Sequence, residues 1–136
     1  MNYNKKLKAF TLTELLIVLV IIGILVLMAL PVLMPLISRT RSVEAKQMLK
    51  HLYSLERTYF YEHSKYSAVL EDIGFEQEQL VNDNNSGKAN YRIEVIEAGP
   101  ATFRGRATAV VDFDGDGLFN VWEIDQDQNL TETVKD

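Results

Sequence analysis

The sequence predicts an α+β protein, a long N-terminal helix followed by a small sheet, and three observations carry that expectation. Leu15 to Ile37 is a run of 23 residues without a charge. Ala45, Met48, Leu52, Leu55 and Tyr59 then recur every three or four residues, one apolar stripe on an otherwise polar helix. Beyond residue 90 the pattern changes to alternation: Tyr91, Ile93 and Val95 interleave with Arg92, Glu94 and Ile96, as in a half-buried strand.

The uncharged run comes first. As a helix it reaches roughly 35 Å, enough to cross a hydrocarbon core of ~30 Å. It is too long for the apolar core of a secretory signal peptide, and no small-residue cleavage site follows it. Lys5, Lys6 and Lys8 precede it with no acid among the first nine residues, which places the N-terminus on the cytoplasmic side and everything after Ser38 outside. Gly23 and Pro31 are points where such a helix can loosen. With the three leader lysines set aside, 11 basic residues face 19 acidic ones, a balance that repels nucleic acid. The absence of cysteine excludes a disulfide framework, a thiolate metal site and a cysteine nucleophile.

Past Ser38 the helix continues on its apolar stripe, which needs a sheet or a second helix to cover it. Ser67 to Gly74 reads as a short helical turn opened by Ser67 and ended by Gly74, and Asn82 to Gly87 as a polar loop. Phe103 to Val111 is a second strand, in which Gly105 and its small neighbours imply close packing against the helix. A third short strand spans Val121 to Ile124. His51 and His63 lie too far apart on the helix to share a ligand and are read as solvated. Tyr53, Tyr59, Phe60, Tyr61 and Tyr66 are read as core and helix-end packing. No nucleophile, base and oxyanion donors converge in the sequence, so no enzyme is expected.

Glu14 is the first residue that calls for a partner. A carboxylate at the edge of a membrane helix is costly and by default functional. No cation follows Lys8 nearby. A new α-amine at Phe10 of a neighbouring chain would supply one, which requires cleavage between Ala9 and Phe10. The segment from Lys5 to Leu30, with Phe10-Thr11-Leu12 and Glu14-Leu15-Leu16, resembles the class III signal of type IV prepilins and type II secretion pseudopilins. Ala9 stands where that family usually has Gly.

The resemblance implies removal of leader 1–9 by prepilin peptidase and N-methylation of Phe10. It implies a 10–37 transmembrane and filament-core helix, with Glu14 and Phe10 acting in assembly. The remaining residues, 38–136, would form an extracytoplasmic head in which the outer half of the helix packs on a small antiparallel sheet, a lollipop shape. It implies identical or related pilin subunits and the pilus assembly platform as partners. The location it implies is the bacterial inner membrane, then an extracellular pilus or periplasmic pseudopilus. A pseudopilin or minor pilin is the alternative within the family; a membrane-anchored calcium-dependent adhesion module is the alternative outside it.

A second motif lies between the predicted second and third strands. Asp112-Phe113-Asp114-Gly115-Asp116-Gly117-Leu118-Phe119-Asn120-Val121-Trp122-Glu123 satisfies the twelve-residue EF-hand loop pattern. Asp112, Asp114 and Asp116 offer oxygens, Leu118 its carbonyl, Asn120 a direct or water-mediated contact, and Glu123 a closing carboxylate. Hard oxygen ligands in this number suit Ca²⁺. The flanks read as strands, so the expectation is an EF-hand-like loop inside a sheet. An Asp/Gly-rich solvated turn has the same composition.

Overall fold

A computed structural model describes residues 9–83 and 86–136. The leader lysines, and Asn84 and Asn85 of the expected polar loop, lie outside the described residues. The chain divides into two units, Met1–Leu33 and Met34–Asp136. The element order is α1 (Leu12–His63), β1 (Tyr91–Ala98), β2 (Phe103–Ala109), β3 (Val121–Asp125) and β4 (Leu130–Val134).

In the first unit α1 opens on Thr11 and carries an uninterrupted apolar surface. Leu15 to Val26 are large aliphatics apart from Gly23, all about half exposed or more. No described residue of this unit covers them. The helix continues through Pro31 and Pro35.

The second unit is the head. The outer half of α1 lies on an antiparallel sheet of order β1-β2-β3-β4. Alternation aims Tyr91 and Ile93 of β1, and Phe103, Gly105, Ala107 and Ala109 of β2, at the helix. The register pairs Gly105 with Val95 and Ile124, and Ala107 with Ile93 and Trp122. Past Phe103 the inner row is therefore small on central β2 and large on either side. A helix settles into that trough. A Cβ built on Gly105 would stand 2.5 Å from Leu52 Cδ2, which is the close approach expected from the sequence.

Three expectations are corrected. The buried line of α1 is Ser38, Ser42, Ala45, Leu49, Leu52 and Glu56, while Met48, Leu55 and Tyr59 flank it half-buried. The face is rotated from the purely apolar stripe because three polar side chains on it find partners: Ser38 Oγ donates to the Asp136 carbonyl, Ser42 Oγ donates to the Ser38 carbonyl, and Glu56 accepts the Ser67 N–H at 3.0 Å. Residues 67–74 form a turn rather than a helix. Ser67 Oγ accepts the Val69 N–H, and Gly74, at φ +72, closes the turn through Phe75 N–H to the Leu70 carbonyl. The sheet has a fourth strand, β4, beyond the three expected. Its inward Leu130, Glu132 and Val134 are only half-buried, and Glu132 breaks the apolar alternation.

Hydrogen bonds fix which end of the head is which. The Asn90 amides, backbone and side chain, donate to Glu44 at 2.6 and 2.7 Å, and Ser38 Oγ donates to the Asp136 carbonyl. The start of β1, the β2–β3 loop and the end of β4 thus gather where the apolar run ends. At the other end Tyr66 stacks on Phe60 and Phe103, with its N–H on the Gly99 carbonyl.

Candidate functional site

Ala9 and Phe10 are exposed, and Phe10 has 85% of its surface open. Four residues on, Glu14 Oε2 accepts from the Thr11 N–H at 2.9 Å and from its hydroxyl at 3.0 Å, while the Glu14 N–H donates to Thr11 Oγ1 at 3.3 Å. This is a capping box: Thr11 and Glu14 satisfy each other's orphan donors at the first turn. Its signal, Thr-x-x-Glu before an apolar run, is plain in the sequence. Glu14 therefore has a structural use within its own chain, and its position alone does not require a neighbour's amine.

The acidic motif forms the β2–β3 loop. Gly115 and Gly117 take φ values of +82 and +88, which L side chains rarely adopt, so the chain can fold back on Asp112. Asp112 Oδ1 accepts the Gly115 N–H at 2.6 Å and Oδ2 the Gly117 N–H at 2.8 Å. Asp114 and Asp116 each accept the N–H two residues ahead, at 3.0 and 2.7 Å. The Gly117 N–H above all, and the other loop amides, hold the Asp112 carboxyl below the usual range.

Of the six residues read as a cation site, the structure gathers the three aspartates. Leu118 follows on the same loop with its side chain exposed and its N–H on Asp116. Asn120 and Glu123 are committed elsewhere. Asn120, fully buried, accepts the Tyr91 hydroxyl at 2.8 Å and donates to Glu132 at 2.8 Å and the Val134 carbonyl at 3.0 Å. Burial pushes the Tyr91 hydroxyl up to about 12, so it is a donor at any physiological pH. Glu123 is the third residue of β3 and points to the sheet's outer face, where it pairs with Arg106 at 2.7 Å. A helix after the loop would turn position twelve back toward the aspartates; a strand does not.

The fourth carboxylate comes from the far end of the sequence. Asp136 accepts the Phe113 N–H at 2.9 Å and the Asp114 N–H at 3.1 Å. One carboxylate oxygen from each of Asp112, Asp114, Asp116 and Asp136 lies within 4.8 Å of the others. No local signal announces Asp136, which reaches the loop only through the β3–β4 hairpin.

Residues 4–30 match the family described as the prokaryotic N-terminal methylation motif. Over 78 residues the chain is 40% identical to the type IV major pilin protein PilA of Myxococcus xanthus (strain DK1622). That alignment covers 57% of this chain and 36% of the relative, so the chain spans little more than a third of the protein it matches.

Proposed function

We propose that the chain is a structural, non-catalytic subunit of a type IV pilus-like filament, anchored in the inner membrane until prepilin peptidase cuts between Ala9 and Phe10. The observation that carries the reading is the coincidence of a methylation motif over residues 4–30 with a helix whose large aliphatics from Leu15 to Leu33 are all exposed. Such a surface needs lipid before assembly and neighbouring helices afterwards. The pilin relative supports the same reading. After the cut, the Phe10 amine of one subunit approaches Glu14 of another, whose second carboxylate oxygen the capping box leaves free. Mass analysis of the mature chain tests this: it begins at N-methylated Phe10. Filaments built of chains that retain Met1 to Ala9 would refute it.

We also propose that the β2–β3 loop holds one Ca²⁺. The donors that fit are Asp112, Asp114, Asp116 and Asp136, all hard oxygens, with Leu118 offering its carbonyl. Asn120 and Glu123 do not fit as they stand. The cation would offset the repulsion among these carboxylates and fasten the last strand to the loop.

A further inference from the structure

Two unlike surfaces occupy opposite ends of the head. At the end where the apolar run stops, the aspartate loop and Asp136 present four carboxylates, a formal charge of about −4 when all are ionised. At the other end stands Arg57, exposed on α1. Its guanidinium carbon lies 6.0 Å from the Tyr53 ring and 5.4 Å from the Tyr61 ring. Nε donates to the Tyr61 hydroxyl at 3.1 Å and Nη1 to the Tyr53 hydroxyl at 3.2 Å. The spacing of four residues on either side sets all three on one helical row.

This arginine is held in place without being neutralised. Among the described residues the ion pair is Arg106 with Glu123, and Arg57 has no carboxylate within salt-bridge distance. Two of its five N–H donors are used, leaving three for a ligand. A guanidinium steadied by two tyrosines has already given up much of the rotamer freedom that binding would otherwise cost.

We propose that Arg57, framed by Tyr53 and Tyr61, receives the acidic β2–β3 loop of a second copy of this chain. Charge complementarity selects that occupant, because the loop is the densest group of carboxylates in the head. Arg57 lies nineteen helical positions beyond Ser38, roughly 28 Å along the axis. One copy therefore cannot satisfy itself. An antiparallel pair could satisfy both patches and close, but helices anchored in one membrane run parallel, so each copy leaves one patch of either kind unmet. A contact between different patches at opposite ends repeats without closing and builds a filament. A divalent cation in the loop leaves a net negative charge, so the attraction survives it. The inference rests on the filament reading and adds to it a contact between heads.

The test uses the full chain in cells that assemble it. Arg57→Glu is expected to lower the yield of sheared filaments at least ten-fold, and adding Asp114→Lys and Asp116→Lys to restore most of it. Filaments from Arg57→Glu at the unaltered yield overturn the proposal. Where the reversed-charge chain does not accumulate in the membrane, a cysteine pair decides instead, on a chain that has no cysteine of its own. With Arg57→Cys and Asp114→Cys together, mild oxidation is expected to convert filaments into a ladder of covalent multimers. Filaments without that ladder overturn the contact. Failure of the unaltered chain to form filaments at all would remove the underlying reading instead.

Discussion

Gly105 and Leu52 touch where the helix lies on the sheet: a Cβ on Gly105 would sit 2.5 Å from Leu52 Cδ2, 3.2 Å from Phe103 Cζ and 3.3 Å from Ile124 Cγ2. All four residues are buried. The trough of Gly105, Ala107 and Ala109 allows a single helix to cover a four-stranded sheet in a head without disulfides.

Gly105→Val should therefore overpack the core and destabilise the head by about 1–3 kcal/mol. Denaturant unfolding of a fragment spanning residues 34–136, followed by fluorescence of its one tryptophan, Trp122, measures this. An unchanged midpoint would mean the helix is not seated on β2.

Glu14 combines a capping role with a proposed assembly role, and two substitutions separate them. Glu14→Gln retains a carbonyl for the Thr11 donors and loses only the charge; Glu14→Val loses both. If the charge meets a neighbour's amine, both variants enter the membrane and both lose filaments. Normal filament yield from Glu14→Gln would leave only the cap.

Calcium should raise the melting temperature of fragment 34–136 over chelator, with a shift that follows mass action in free cation. Asp136→Asn should remove most of the shift, whereas Glu123→Gln should leave it nearly intact, because Glu123 faces Arg106. Magnesium should substitute poorly, since it favours rigid octahedral sites and retained waters. Calorimetry at millimolar calcium that finds no binding heat would reduce the loop to a polar turn.

Glu56 is fully buried, with one oxygen on the Ser67 N–H and the other without a partner among the described residues. Burial raises its carboxyl above the ordinary 4.5, against the smaller opposing effect of that hydrogen bond. The folded state thus holds this proton more tightly than the unfolded chain does. Its contribution is complete below about 4.5 and is lost as pH rises through the folded value. Glu56→Gln should melt higher than the parent at pH 7, and the gap should narrow as pH falls toward 4. A gap independent of pH would exclude titration of Glu56 as its cause.

What the sequence determined by itself is what depends on local pattern. A 23-residue uncharged run can only be a buried or membrane helix, and period-two alternation makes β1 and β2 whatever lies around them. Gly105 announced close packing for the same reason: a missing side chain is visible before its neighbour is known. The tertiary structure decided where polar groups go, because their partners lie far apart in sequence. Glu56 and Asn120 are buried once Ser67, Tyr91 and Glu132 arrive to bond them. The acidic loop shows the division most clearly. Its three aspartates and two glycines were legible as one motif, yet its fourth carboxylate is Asp136 and not Glu123. A strand after the loop turns Glu123 outward, and only the hairpin of β3 and β4 brings residue 136 back to the Phe113 and Asp114 amides.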